Sequence, residues 1–158
     1  MAILTDEMQR LILEQRLGFI ATVCRDGTPN LSPKGTTTVF DDDHLVFADI
    51  VSPNTVANLR HNPAIEINVV DPFVRKGYRF KGTAEIHEAG EVHRRGLEVL
   101  RQRGYNTETV KHIVLVTVDR ALPILSPVYS TGADEREVRA RWARHFTALL
   151  SAAKSDLS

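Results

Sequence analysis

The residues whose types and spacing suit chemistry fall between positions 31 and 62. A run of small polar residues, Ser32-Pro33-Lys34-Gly35-Thr36-Thr37-Thr38, precedes an apolar strand, Leu45-Val46-Phe47-Ala48. After it comes Ser52-Pro53-Asn54-Thr55, which has the composition of a helix start. A helix start exposes unpaired N–H groups, and its dipole favours negative charge. Lys34 would add a cation, and Ser32, Thr36 and Thr37 would add hydroxyl donors. The chemistry expected of this stretch is the holding of a phosphate. Plain capping by Ser52 or Asn54, beside a solvated threonine strand, accounts for the same residues without a ligand.

Other chemistries find less support. The six histidines, His44, His61, His87, His93, His112 and His145, lack H-x-x-x-H or H-E-x-x-H spacing, and one cysteine cannot build a thiolate site, so no metal is expected. That cysteine, Cys24, lies in the apolar run 19–24 and is expected to be buried and inert. Asp41-Asp42-Asp43 lacks the alternation of a calcium loop. There is no G-x-S-x-G elbow and no P-loop, and no residue stands out as a general acid or base. The segment Arg75-Lys76-Gly77-Tyr78-Arg79-Phe80-Lys81 mixes cations with aromatics, which suits nucleic acid or a stacked flavin. Clean strand alternation and the balance of 20 basic against 20 acidic residues argue against a nucleic-acid groove.

The elements that must position these residues follow from periodicity. At 158 residues, 42% hydrophobic and 25% charged, the chain is expected to be one domain, 1–158. A helix is predicted over 5–17, with Thr5 as cap and Met8, Leu11 and Ile12 on its apolar face. A strand over 19–24 leads into Asp26-Gly27, a tight hairpin turn. The second strand starts at Pro29, is bulged or on an edge at Pro33 and Gly35, and recovers over 36–40. A third strand is predicted over 44–50, then a two-turn helix that ends at Asn62-Pro63. Alternation predicts strands over 64–70, 78–86 and 113–118, with Arg79 and Lys81 on one face, and a helix over 89–103. The chain should turn irregular after Leu122-Pro123 and end in an amphipathic helix over about 134–153, with Val138, Trp142, Phe146, Leu149 and Leu150 on its apolar face.

No basic leader precedes an apolar segment, and no apolar run approaches the ~20 residues that span a bilayer, so a cytoplasmic protein without membrane contact is expected. Six β runs and few helices predict a mainly β fold with flanking α: a closed or nearly closed antiparallel barrel with helices packed outside.

The succession Gly18-Phe19-Ile20-Ala21-Thr22-Val23, Asp26-Gly27-Thr28-Pro29, Leu45-Val46-Phe47-Ala48, Asn58-Leu59-Arg60-His61-Asn62-Pro63 and Phe80-Lys81-Gly82-Thr83-Ala84-Glu85 resembles the FMN-binding split-barrel superfamily, which includes pyridoxamine 5′-phosphate oxidase. The resemblance covers about residues 18–119. It implies a six-stranded antiparallel split barrel, FMN as cofactor, a homodimer with flavin clefts between subunits, and oxidoreductase chemistry on a small-molecule substrate. It also implies that Ser32, Lys34, Gly35, Thr36, Thr37, Ser52, Asn54 and Thr55 hold the phosphate end. Lys76 and Arg79 would then lie near the ring or the phosphate from either subunit.

Three departures qualify this. The family's oxidases carry an Arg-Lys pair where this chain has Asn54-Thr55, a glutamine at Gly77, and a closing segment rich in tryptophan and arginine where the final helix stands. Two further readings therefore stay open. One is a non-enzymatic binder of flavin, haem or a deazaflavin, and the other is a dimeric interaction module with a vestigial cleft.

Overall fold

The computed structural model describes residues 2–155, with side chains through 153. Seven strands form one sheet: β1 (Gly18–Val23), β2 (Pro29–Lys34), β3 (Thr38–Asp41), β4 (His44–Asp49), β5 (Ala64–Asp71), β6 (Lys76–His87) and β7 (His112–Leu125). Their order is β2-β1-β5-β6-β7-β4-β3, and every pairing is antiparallel. Four helices flank them: α1 (Asp6–Gln15), α2 (Pro53–His61), α3 (Gly90–Gln102) and α4 (Glu135–Ser155), with a 3-10 turn at Pro127–Thr131 before the last. No helix among the described residues is long and apolar enough to cross a membrane.

The expected single strand through Pro33 and Gly35 is in fact two strands at opposite edges of the sheet. Only residues 35–37 separate them. In a flat sheet, six spacings of about 4.8 Å would hold those edges about 29 Å apart. The step from Lys34 to Thr38 reaches at most about 14 Å. The sheet must therefore curl until its edges approach each other. Since β2 and β3 share no ladder among the described residues, the result is an open, rolled sheet with a split, and not a closed six-stranded barrel. The prolines of β2 sit on an edge strand, where a missing ladder donor is tolerated.

Strand alternation sorts the core into two clusters. Ile20, Leu45, Phe47, Ile67, Val69, Phe80, Val114 and Val116 fill the rolled interior, joined by Ile12 of α1 and Leu59 of α2. The opposite parity of β3, β4 and β7 sends Phe40, Val46, Ala48, Ile113 and Leu115 outward against Leu100 of α3. Strands buried on both faces lose their polar alternation, which is why residues 45–48 read as one apolar run. Gly96 lets α3 come this close, because a Cβ there would lie 2.6 Å from Ile113.

Several boundaries differ from expectation. Arg16 ends α1 in the left-handed region at φ 52°, so that helix stops before Leu17. The sixth expected strand does not end at 118: β7 continues to Leu125 beyond a register shift at Lys81/Gly82. The apolar stripe of α4 is only half used. Phe146 packs edge-on against Phe73 with centroids 5.2 Å apart, but Leu149 and Leu150 are 54% and 66% exposed.

Gly82 sits at the β6–β7 register shift, where a Cβ would meet the Thr117 carbonyl oxygen at 2.0 Å. Backbone cannot yield as a flexible side chain would. Gly82→Ala is expected to lower stability by about 1–3 kcal/mol, the usual cost of overpacking, read as a lower urea midpoint at unchanged slope.

Candidate functional site

The split gathers much of the polar run. Along β2 the side chains of Ser32 and Lys34 are half-buried, while Leu31 and Pro33 face out. Lys34 Nζ donates to Ser32 Oγ at 2.8 Å. The crossing residues are then fixed from several directions. Thr36 Oγ1 accepts the Ala48 N–H at 3.0 Å, which ties the crossing to β4. Thr37 Oγ1 donates to the Lys34 carbonyl at 2.9 Å, and its side chain fills the space over Gly18, where a Cβ would come within 2.6 Å of it. The Tyr105 hydroxyl donates to the Gly35 carbonyl at 2.6 Å. It is held in turn by Arg16, whose Nε donates to it at 3.2 Å and whose guanidinium lies 4.7 Å from the ring centroid. The outcome is a cleft of about 200 Å³ bounded by Lys34, Gly35, Thr36, Ala48, Ile50 and Ser52.

Two charges shape this cleft. Burial holds the Lys34 ammonium below the ordinary lysine pKa, partly offset by Asp49. The ammonium carries three donors and has one protein acceptor among the described residues, Ser32 Oγ. Asp49 is only 3% exposed. Its Oδ1 accepts the Ser52 N–H at 2.9 Å and the Ser52 hydroxyl at 2.6 Å, and its Oδ2 lies 2.7 Å from His112 Nδ1. Burial pushes the Asp49 carboxyl up, but the bonds from Ser52 and His112 together outweigh it, and its pKa falls below the ordinary value. Both oxygens of this carboxylate are thus engaged before it can satisfy Lys34.

The same arrangement decides the role of Ser52. Although it stands at the N-cap position, its side chain makes no cap bond to α2, because its hydroxyl goes to Asp49. Capping by Ser52 or Asn54 therefore does not account for this stretch, and the first turn of α2 keeps its N–H groups open. Nor is Ser52 an activated nucleophile: its partner is a carboxylate, and the imidazole that would serve as base lies beyond it.

The remaining candidates divide. Asn54 is exposed at the start of α2, and Thr55 is buried. Lys76 pairs with Glu135 at 2.6 Å and lies 4.5 Å over the Tyr129 ring. Arg79 and Lys81 both face Glu66, at 3.6 and 3.1 Å. Arg79 stands opposite Asn68, which stands opposite Phe19, which stands opposite Pro33. Three strand spacings, about 14 Å, therefore separate it from β2. Within one chain Ser32, Lys34, Gly35, Thr36 and Ser52 meet, and Lys76 and Arg79 lie elsewhere. Cys24 is half-buried, not buried, and accepts from Asn58 Nδ2 at 3.5 Å.

Sequence reasoning missed Asp49, His112, Tyr105 and Arg16. The spacing Asp49-x-x-Ser52 was a local signal for the first. The others act across long separations: His112 needs the β4–β7 register, which sets it opposite Asp49, and Tyr105 and Arg16 need the packing of α3 and α1 beside the crossing.

Comparison with known proteins bears on the family and the fold. The family model described as pyridoxamine 5′-phosphate oxidase matches residues 4–120. The uncharacterized protein MJ0282 of Methanocaldococcus jannaschii is 33% identical over 90 residues, 56% of this chain and 59% of that protein, so the match spans about three-fifths of that relative. Among solved structures, HupZ of Group A Streptococcus is 33% identical with a TM-score of 0.69, over 77% of this chain and 94% of that one. An FMN-binding protein from Syntrophomonas wolfei, 18% identical, shares the fold with a TM-score of 0.60 over 76% of this chain and 86% of its own.

The Asp49 network sets a pH dependence. A carboxyl whose folded pKa is depressed contributes stability that is present above its unfolded value and lost as pH falls through the folded one. Asp49→Asn is expected to cost about 1–3 kcal/mol at neutral pH, as for a buried partner left unsatisfied. The deficit should shrink as pH drops below 3.8. Urea unfolding of both proteins between about pH 7 and about pH 3 checks this, and a pH-independent deficit would contradict it.

Proposed function

Because this chain belongs to the pyridoxamine 5′-phosphate oxidase family, we propose that its split seats the phosphate end of FMN in a homodimeric oxidoreductase acting on a small molecule. The observation that carries this reading is the Lys34 ammonium, drawn partly out of water and bonded to one hydroxyl, beside the uncapped first turn of α2.

The donor set fits a phosphate. Ser32 Oγ accepts from Lys34 and Thr36 Oγ1 accepts from Ala48, so each hydroxyl keeps its own proton to donate. Thr37 differs, since its proton is committed to the Lys34 carbonyl. Lys34 supplies the charge, and the amides at Asn54 and Thr55 stand where the helix dipole favours an anion. With one lysine in place of a basic pair, the grip depends on neutral donors and a single charge.

When bound, FMN supplies the redox chemistry; the chain's part is to hold the tail and fix its direction. The cleft, about 200 Å³, is smaller than the roughly 300–1,000 Å³ of ordinary small-molecule sites. One chain therefore offers a seat for the tail but not for the whole cofactor, which supports a second wall from a partner copy. The outer face of β2 and β1, with Leu31 66% and Phe19 40% exposed, supports the same reading. A second reading, a flavin carrier without turnover, draws on α4: none of its described side chains bounds the cleft, and Trp142 instead stacks on Arg75 at 3.5 Å.

FMN titration followed by flavin absorbance and fluorescence tests the proposal. Lys34→Ala is expected to weaken FMN binding by about 1.5–3 kcal/mol, the range for hydrogen bonds to charged groups, and to leave riboflavin, which lacks the phosphate, unchanged. Wild-type affinity should fall as pH rises through the Lys34 pKa, which lies below 10.5. Turnover with a nicotinamide donor favours the enzyme over the carrier. A protein that binds no flavin at any pH would sink both.

A further inference from the structure

A second concavity, about 280 Å³, opens where the crossing enters β3, between α1 and the end of α3. Its polar lining is Arg16, Thr37, Thr38, Gln102, Arg103 and Tyr105, and it shares no residue with the cleft at Lys34. We propose that it binds a small oxyanion, the phosphate or carboxylate group of a small metabolite, independently of the flavin reading.

Three observations carry this. Thr38 is 2% exposed, and its Oγ1 is buried with no hydrogen-bond partner. A buried hydroxyl left unpaired is costly, and this one borders the cavity, so an occupant that reached it after a small side-chain adjustment would remove that cost. Secondly, the cationic lining has no counter-charge among the described residues, because no carboxylate of theirs bounds the cavity. Arg16 gives Nε to the Tyr105 hydroxyl and Nη2 to the Arg103 carbonyl, at 3.2 and 2.8 Å. Its other terminal nitrogen, and the whole Arg103 guanidinium, have no acidic partner among the described residues. Thirdly, Arg16 occupies a left-handed cap at φ 52°, a conformation usually left to glycine. The side chain there bridges α1 and α3 and forms one wall of the cavity.

The chemistry follows from what the groups can offer. Guanidiniums donate only, and the Thr38 hydroxyl has a free proton, so the complementary ligand is rich in acceptors and negatively charged. A single water would satisfy Thr38, but it would leave the site indifferent to added anions.

The test is an NMR titration of the full chain carrying Lys34→Ala, so that phosphate entering the other cleft is not counted. Inorganic phosphate is added in one arm and malonate in the other, and the amide signals of Thr37, Thr38, Arg103 and Tyr105 are followed. Saturable shifts confined to these residues support the site. A response to phosphate alone identifies a phosphate ester, to malonate alone a carboxylate, and to both a general oxyanion site. Arg103→Gln, at an exposed position, should weaken binding about tenfold or more, the lower end for a charged hydrogen bond. Thr38→Val should also weaken binding while raising the thermal midpoint of the ligand-free protein, since it removes an unpaired buried hydroxyl. Shifts that are linear and scattered over surface arginines, that persist unchanged in both variants, or that do not occur with either anion overturn the proposal.

Discussion

The structure depends on a length constraint: three residues must connect the two outermost strands of a seven-stranded sheet. Side-chain packing alone does not demand that a sheet roll, since open twisted sheets of this size are common. Here the chain cannot reach from β2 to β3 unless the sheet rolls. The interior cluster around Phe47 and Phe80 then fills the roll, and burial maintains a curvature that connectivity imposed. A split remains because the two edges are brought near without being paired, so polar backbone and side chains face each other across a narrow gap. That gap is where Lys34, Thr36 and Ser52 meet.

Charge placement in the gap follows from the same geometry. Lys34 is at the end of an edge strand on its inward-facing side, so rolling desolvates it without supplying a paired carboxylate. Asp49 ends β4 next to the turn into α2, where the Ser52 N–H and hydroxyl reach back to it and the β7 register delivers His112. Two opposite charges thus lie in one neighbourhood, but each carboxylate oxygen has a closer donor than the ammonium. An ion pair that would have neutralised the cleft is replaced by a local hydrogen-bond network, and the ammonium keeps its capacity for an anion.

Much of the fold was legible because most elements declare themselves locally. The alternation of Ile65, Ile67 and Val69 and the Thr5 cap of α1 need only neighbouring residues, and the structure has them as read. What was illegible is non-local. Pro33 and Gly35 look the same whether a strand bulges or the chain leaves for the far edge, and only the sheet order separates the two. The continuation of β7 through Leu122 and Pro123 was hidden by a proline that sits in the ladder opposite Tyr78. In the site, the polar run itself stood out, but its supports did not. Tyr105 lies 70 positions from Gly35, and His112 lies 63 from Asp49. No pattern within one element announces such a contact. Lys76 and Arg79 are expected near the ring or the phosphate from either subunit, and within one chain the register places them on another part of the sheet from β2.

The distribution of unmet polar demand is itself an argument about where function sits. Local agreement between propensity, pattern and hydrogen bonding is the rule in a foldable sequence, and its exceptions gather at working sites. Around residues 34–38 three such exceptions occur together: a lysine short of acceptors, a helix start whose cap residue is engaged elsewhere, and a threonine hydroxyl with no partner. The lysine and the helix start are open enough for water to meet them, and only the buried Thr38 hydroxyl carries a cost of about 1–3 kcal/mol. They lie together around a crossing that is itself held by Tyr105, Arg16 and the Ala48 amide. A segment held by many contacts that still carries unmet polar groups is the part of the fold to which a bound group could add most, and each of those groups is able to donate a hydrogen bond.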